Sequence, residues 1–337
     1  MNIFEAVKLS DLKELRGVIA KNEHAVNTLD ASGMPPLFTA ALYRNQPAID
    51  LLINHKANVD IFACCYLPDI QTGRKLLTDA PSLAVDAAAE GRTPLHFACQ
   101  KGCFEMTQLL IDHGADVNAE DDDGQTPLAA AAHGGPWKPV GDEQIISLLI
   151  KSGADVTFWL AAEIGRVDLV ERAIADGADV NAFDAHGFTA LYHAAHNGHL
   201  DCVRLLIDNN ADPGRAATDG QTPLSTAALH LLSQQCDPKI CRCLIAAGAF
   251  YDIHTAAALN DVARIVELVT ADAAVVSETI YGMYATDYAA HCGRYEALKV
   301  LLDNGASAHT KDASGHTLQF KCEHLPRLRN LLAAYAT

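Results

Sequence analysis

Residues 93–118 read TPLHFACQKGCFEMTQLLIDHGADVN, and this stretch decides the fold because its phrases recur along the chain. The opening Thr-Pro-Leu returns, in full or with one change, at residues 126–128, 189–191 and 222–224. Two small residues follow each copy, and the closing phrase returns as LLIKSGADV, AIADGADVN and LLIDNNADP. Self-similarity at a fixed spacing indicates a repeat architecture rather than one globular core.

Each phrase has a physical role in a pair of helices. Thr93 can cap a helix by accepting hydrogen bonds from free backbone N–H groups, and the proline after it fits the first turn. Leu95 begins the buried stripe, and the small pair Ala98-Cys99 lets neighbouring helices approach closely. Gly114 ends the second helix in a left-handed turn. One such unit cannot bury its own apolar face, so the units must stack.

These phrases resemble the ankyrin repeat, and the resemblance covers essentially the whole chain. It implies an all-α repeat solenoid of helix-turn-helix units with short β-hairpin fingers, continuous over residues 1–337. A small pair three and four residues after the motif leucine checks the register and is lost only at Lys321-Cys322. That loss is expected of a carboxy-terminal cap, residues 316–337, with a polar outer face. The motif leucine defines a column of about eleven units, most of them about 33 residues long: Ile3, Leu37, Ile61, Leu95, Leu128, Phe158, Leu191, Leu224, Ile253, Thr286 and Leu318.

One kind of junction is shorter than the rest. Val156 and Phe158 are two residues apart, whereas the equivalent Val180 and Leu191 are eleven apart, so the nine residues of a finger are absent. The spacing of the units shows the same loss at two other places, and insertions near 134–144 and 231–239 restore part of the length before 156/157 and 251/252. We therefore predict missing fingers at 59/60, 156/157 and 251/252. Their period of about 96 residues indicates duplication of a three-unit block, with sub-blocks 1–59, 60–156, 157–251 and 252–337.

Charge and cysteine usage limit the partners and the compartment. Acidic residues outnumber basic ones by 42 to 25, a net charge of −17. This charge disfavours nucleic acid and anionic membranes and suits a basic protein partner, although it also suits a plain soluble surface. The ten cysteines form no CxxC pair and lie mostly in helical patterns, as small buried thiols of a reducing compartment do. We expect a soluble cytoplasmic protein without a signal peptide or membrane span, monomeric rather than an obligate oligomer.

No assembled catalytic motif is present, so we predict neither catalysis nor a cofactor or metal. The resemblance gives His96 a structural role. The column after the small pair is expected on the concave inner-helix face, and it contains His133, Glu163 and His196 in adjacent units. Neighbouring helix pairs lie roughly 10 Å apart, too far for three such side chains to meet one zinc ion. A polar strip on a binding face is favoured, and an enzyme or a small-molecule or metal binder using this strip is the alternative.

Rings replace the motif histidine in several units, among them Phe62, Trp159 and Tyr192. These rings can cover apolar surface that a finger would have shielded. Alternatively, the gap exposes Trp159, together with Trp137 of the inserted loop, as an anchor for a partner. Both interpretations stay open for Trp159.

Acidic residues concentrate at the finger tips, which with the inner helices form the usual contact surface of ankyrin proteins. The leading interpretation is a non-catalytic protein-binding scaffold or adaptor, and a further alternative is a bacterial effector or immunity factor that binds a host or toxin protein. The predicted contact residues are Asp121, Asp122, Asp123, His133, Trp137, Trp159, Glu163, Asp184, His186, Tyr192, His196 and Asp219.

Overall fold

The computed structural model divides the chain into two compact units, Met1–Val156 and Thr157–Thr337. The boundary coincides with the predicted fingerless junction at 156/157. A single solenoid over residues 1–337, with the sub-blocks and the cap given above, stays a prediction. The structure describes residues 2–67, 70–133, 142–218, 220–232, 237–280, 282–311 and 315–335.

The described residues of the amino-terminal unit form helices that follow one another as five consecutive pairs. Short 3-10 helices lie between some pairs, at Glu23–Asn27, Pro81–Ala84 and Ala89–Gly91. The ten α-helices are α1 Ile3–Lys8, α2 Leu12–Lys21, α3 Pro36–Leu42, α4 Gln46–Asn54, α5 Ile61–Cys64, α6 Ile70–Asp79, α7 Pro94–Lys101, α8 Phe104–Asp112, α9 Pro127–His133 and α10 Glu143–Lys151.

The described residues of the carboxy-terminal unit form six further pairs. A 3-10 helix, Ala273–Ser277, precedes a two-stranded antiparallel hairpin in which Thr279 lies opposite Tyr284. The strands are β1 Thr279–Ile280 and β2 Met283–Tyr284. The helices are α11 Phe158–Glu163, α12 Val167–Ala175, α13 Ala190–His196, α14 Leu200–Asp208, α15 Pro223–Leu232, α16 Pro238–Ala246, α17 Ile253–Leu259, α18 Val262–Ala271, α19 Ala285–His291, α20 Tyr295–Asp303, α21 Leu318–Lys321 and α22 Pro326–Ala334.

In both compact units, the buried core contains the column of motif residues predicted from the sequence. All eleven column residues are buried, none of them more than 9% exposed. The first helices of successive pairs pack on one another, as α11, α13 and α15 do. We call these first helices the inner helices. Small pairs such as Ala194-Ala195 are fully buried at these contacts, which confirms the all-α repeat architecture expected from the sequence.

Fingers are present where the sequence predicts them and absent where it does not. In one finger, Asp184 donates its backbone N–H to the Phe188 carbonyl at 2.9 Å, and Phe183 is bridged to Thr189. The connection from α8 to α9 spans residues 113–126, whereas that from α10 to α11 spans only 152–157. The equally short connections 55–60 and 247–252 precede α5 and α17, so all three predicted losses are confirmed.

At the fingerless junctions, the next helix starts one residue later relative to the column residue than α7 does. In a complete unit, Thr93 caps α7 two residues before Leu95. At the fingerless junctions, Thr157 caps α11 and Asp252 caps α17 one residue before the column residue. The residue after the column therefore occupies the second helical position instead of the third, and its side chain meets different backbone groups.

Lys321 in the last repeat was expected on a polar outer face, but its side chain is buried. Its side chain is only 3% exposed, and its Nζ lies 2.8 Å from Oδ1 of Asp287, whose side chain is 1% exposed. Asp287 also accepts the backbone N–H of Tyr284 at 2.8 Å, which fixes the carboxylate at the start of α19. Lysine replaces the small residue because it reaches inward to a buried carboxylate.

No helix within the described ranges is long and apolar enough to cross a bilayer. Residues 134–141 of the first predicted insertion and residues 233–236 of the second lie outside the described residues.

Candidate functional site

The carboxy-terminal unit assembles the largest set of predicted site residues on its inner helices and one finger. Trp159 and Glu163 lie on α11, and Tyr192 and His196 lie on α13. The finger before α13 carries Asp184 and His186, of which His186 is exposed. The candidate site is therefore the face formed by α11, α13 and this finger.

His193 on α13 is the centre of this site. Its Nε2 lies 2.8 Å from Oδ2 of Asp184, and its Nδ1 lies 3.9 Å from Oε2 of Glu163. The three side chains are between 12% and 16% exposed, so they are shielded but reachable from solvent. An imidazole between two carboxylates is held in one orientation, so this polar surface is fixed in the free protein.

Asp184 is held by more than His193. Its Oδ1 accepts the backbone N–H groups of His186 and Phe188, both at 2.9 Å, and these bonds close the finger turn. Burial is the largest influence on the pKa of Asp184 and raises it, but the hydrogen bonds from Phe188, His193 and His186 prevail. The pKa of Asp184 therefore lies below its ordinary value, and the carboxylate is ionised at neutral pH.

Tyr192 and His196 belong to a stacked row of rings. Tyr192 stacks on Phe188 with centroids 4.5 Å apart and on His196 at 5.8 Å. The Tyr192 hydroxyl donates to Oε1 of Gln221 at 3.0 Å, and Nδ1 of His196 lies 2.8 Å from Oγ1 of Thr226. The structure thus joins His196 to Thr226, while Glu163 lies close to His193.

The predicted strip of His133, Glu163 and His196 divides between the two units. His133 is exposed at the end of α9 in the amino-terminal unit, and the other two residues belong to the carboxy-terminal unit. Among the described residues, no group of three or more His, Cys, Asp or Glu side chains is placed to hold a metal ion. Participation of these three residues in binding stays a prediction.

Trp159 takes over the hydrogen bond that the motif histidine makes elsewhere. In a complete unit, Nε2 of His96 lies 2.9 Å from the Gln125 carbonyl of the next finger. At the fingerless junction, Nε1–H of Trp159 donates to the Ala182 carbonyl of the next finger at 3.0 Å. The Trp159 ring is partly exposed, so it both secures the following finger and contributes to the surface. Its predicted companion Trp137 lies outside the described residues.

The acidic tip before α9 has one structural and two exposed carboxylates. Oδ1 of Asp121 accepts the N–H groups of Asp123 and Gln125 at 3.1 and 2.8 Å, and the Asp121 side chain is only 10% exposed. Asp122 and Asp123 are exposed. The Asp122 backbone N–H donates to the Glu90 carbonyl of the preceding finger at 2.9 Å, so the two fingers are joined. Asp219, the tip residue predicted in a later finger, lies outside the described residues.

A basic and aromatic cluster in the amino-terminal unit was missed from the sequence. Phe97 lies 4.5 Å beneath the Arg92 guanidinium, and Lys101 Nζ lies 5.3 Å from the Tyr66 ring centroid. Burial lowers the pKa of Lys101, and the positive charge of Arg44 lowers it further. Tyr66 follows the small pair Cys64-Cys65, in the column expected on the inner-helix face, and this position was the available signal in the sequence.

The described cysteines are free thiols, and several are buried in helix contacts. Burial raises the pKa of Cys99 to about 12 and raises the pKa of Cys65 as well. These thiols are protonated at neutral pH, so they are poor nucleophiles and poor metal ligands.

Helix pairs stacked through small residues and joined by hydrogen-bonded fingers define a helical repeat module. The chain belongs to the ankyrin repeat family: a model described as ankyrin repeats in three copies matches residues 61–158 and again residues 158–255. Ankyrin repeats form protein–protein interaction domains and are generally not enzymes.

Curated relatives share the repeats over part of their length. The B-cell lymphoma 3 protein homolog of Mus musculus is 30% identical over 214 residues, 62% of this chain and 38% of that protein. The ankyrin repeat protein nuc-2 of Neurospora crassa is 29% identical over 198 residues, 52% of this chain and 18% of that protein. The E3 ubiquitin-protein ligase KEG of Arabidopsis thaliana is 30% identical over 150 residues, which are 40% of this chain and 9% of that protein. This chain therefore spans less than two fifths of each of these relatives.

Proposed function

We propose that this chain is a non-catalytic scaffold or adaptor that binds a basic protein partner through its acidic finger tips and inner-helix face. The observation that carries the proposal is the division of roles at the tip before α9. Asp121 makes the turn, whereas the side chains of Asp122 and Asp123 are exposed and make no hydrogen bond among the described residues. Exposed carboxylates on a chain of net charge −17 attract a cationic surface.

The polar row of the carboxy-terminal unit supports the same role. Asp184, His193 and Glu163 are held together and remain partly exposed, and Tyr192 and His196 are stacked beside them. Side chains already fixed in the free protein lose little conformational entropy when a partner binds. Membership in a family of binding modules supports a role without catalysis. A cytoplasmic location and a monomeric state are part of this proposal.

The test is affinity capture with a charge-reversed finger tip. The double variant Asp122→Lys/Asp123→Lys leaves Asp121 and its turn in place. The matched control, Glu105→Lys/Asp112→Lys, changes the net charge by the same amount at two exposed positions of the second helix α8. We expect the finger variant to bind a captured partner at least tenfold more weakly, and the control to bind within about threefold of the wild type.

Salt dependence separates a specific surface from bulk charge. Binding through the finger tip should weaken as ionic strength rises, and it should do so less steeply in the finger variant. Equal losses in the finger variant and the α8 control would show that only net charge matters. Unchanged binding in both would place the interface elsewhere and refute the proposed surface.

A further inference from the structure

A groove of about 440 Å³ lies at the fingerless junction 251/252 in the carboxy-terminal unit. Its apolar wall includes Leu268 and Ile280, and Phe250, which is 79% exposed, also lines it. Asp252 and Glu278 supply carboxylates, and no lysine or arginine is among the described residues that line it. The groove therefore combines an apolar wall with unbalanced negative charge.

His254 lines this groove with a nitrogen that has no partner. The residue is 2% exposed, and its Nε2 lies 3.2 Å from the Glu278 carbonyl. A carbonyl oxygen can only accept, so Nε2 carries the proton of this hydrogen bond. Burial lowers the pKa of His254, which keeps the ring neutral at pH 7 and leaves Nδ1 as an acceptor. Nδ1 is buried and makes no hydrogen bond.

The missing finger explains why Nδ1 is unpaired. In the complete unit of α7, His96 is the third helical residue, and its Nδ1 accepts the backbone N–H of Thr93 at 3.1 Å. At the fingerless junction, Asp252 caps α17 and His254 is the second helical residue. Thr255 occupies the third position, where its backbone N–H donates to Asp252 at 2.7 Å. The one-residue shift therefore deprives Nδ1 of the donor that His96 has.

The other two fingerless junctions avoid this problem. The equivalent second helical positions hold Phe62 and Trp159, whose rings carry no acceptor nitrogen. Trp159 nevertheless keeps the donor to the next finger. An unpaired buried acceptor destabilises a fold. Among the described ring residues at the three fingerless junctions, His254 alone has one, and it lines an acidic groove, which points to a donor supplied from outside.

We propose that this groove binds an arginine side chain of the basic partner, with His254 Nδ1, Asp252 and Glu278 as its acceptors. The inference rests on the proposed function and names one contact of that partner. A guanidinium has five N–H donors in a planar fork, enough for a carboxylate and the imidazole together, and its aliphatic stem suits the apolar wall. The exposed Phe250 ring offers a face on which the guanidinium stacks. Because Nδ1 is covered, binding requires a side-chain rearrangement of the wall.

The test uses the full chain and a defined probe, Nα-acetyl-arginine amide. Nuclear magnetic resonance on protein labelled with ¹⁵N-histidine reports on the His254 ring. In uniformly ¹⁵N-labelled protein, the backbone amides of Thr222 and Ser225, which line the groove, report affinity in every variant. We expect a saturable shift of the His254 Nδ1 resonance in the wild type. The neutral, isosteric citrulline amide should bind at least tenfold more weakly, because it lacks the charge that the carboxylates balance.

Two variants separate the acceptors from the fold. His254→Trp copies Trp159, so it keeps a donor for the Glu278 carbonyl and removes Nδ1. Glu278→Gln changes an exposed side chain, so folding is unaffected. Each should weaken arginine amide binding about fivefold or more. Equal affinity in the wild type and both variants, or equal affinity for the citrulline probe, overturns the proposal.

Failure of this inference is distinguishable from failure of the proposed function. Finger-dependent capture of a basic protein without a His254 shift by arginine amide refutes the groove assignment and leaves the scaffold role standing. A specific His254 shift without capture of any basic protein supports the groove chemistry and refutes the scaffold role.

Discussion

The buried pair of Lys321 and Asp287 gives the sharpest prediction about stability. The two charges are 2.8 Å apart and almost completely buried. Their attraction is about 6 kcal/mol at an effective dielectric constant of 20, and the desolvation of both groups opposes it. Lys321→Met leaves the Asp287 carboxylate buried without its partner, so we expect the last repeats to lose about 3–5 kcal/mol of local stability.

A double-mutant cycle isolates the pair. Asp287→Asn keeps an acceptor for the Tyr284 N–H and removes the charge, so alone it also leaves one buried charge unpaired. The double variant has no buried charge, and we expect it to be more stable than either single variant, with a coupling energy of about 2–3 kcal/mol.

Local stability must be measured locally, because stacked repeats need not unfold in one step. Native-state hydrogen exchange read by mass spectrometry on peptides covering α19 to α22 gives the required free energies. Peptides covering α1 to α4 serve as the internal control and should not change. Additive single losses, with a coupling energy below about 0.5 kcal/mol, would refute the view that these two side chains stabilise the end of the chain as an ion pair.

Three further predictions concern the fingers. The pKa of Asp184 lies below its unfolded value of about 4, so its contribution is present above pH 4 and is lost as pH falls through the folded pKa; Asp184→Asn should remove this acid dependence from the finger's hydrogen exchange. Asp121→Ala should destabilise its finger by about 1–2 kcal/mol, measured by hydrogen exchange of the finger amides, because two N–H groups lose their acceptor, whereas Asp123→Ala should change stability by less than about 0.5 kcal/mol. Trp159→Phe leaves the Ala182 carbonyl without its donor and should cost about 1 kcal/mol, measured by exchange of the finger amides.

Each of these predictions has a contradicting result. Identical acid dependence in the wild type and Asp184→Asn would show that another group titrates. Equal effects of Asp121→Ala and Asp123→Ala would remove the distinction between turn-making and exposed acids. A Trp159→Phe variant as stable as the wild type would show that the indole N–H does not secure the next finger.

The sequence was sufficient for features that depend on short-range patterns. The column of apolar residues, the small pairs and the three missing fingers follow from spacings of a few residues, and the structure confirms them. Helix caps and turns are local because their hydrogen bonds join residues three or four positions apart. The turn-forming role of Asp121 belongs to this class, although its position in an acidic run concealed it.

Side-chain contacts between residues far apart in the chain could not be predicted from the sequence. His193 bridges Asp184 and Glu163, which lie 9 and 30 positions before it. Lys321 reaches Asp287 across 34 positions. Contacts over about one repeat length depend on how helices stack and on rotamers that no spacing rule specifies.

His254 shows where the boundary between the two lies. The sequence alone determined that this histidine follows the column residue Ile253 at a junction that has lost its finger. Only the tertiary structure decided that α17 begins at Ile253, one residue later than a complete unit does, and that Nδ1 of His254 is therefore buried without a donor. The physical reason is that a repeat pattern fixes which residue faces the core, whereas a hydrogen bond requires its two atoms within about 3 Å of each other, and a shift of one residue at a helix start is enough to separate them.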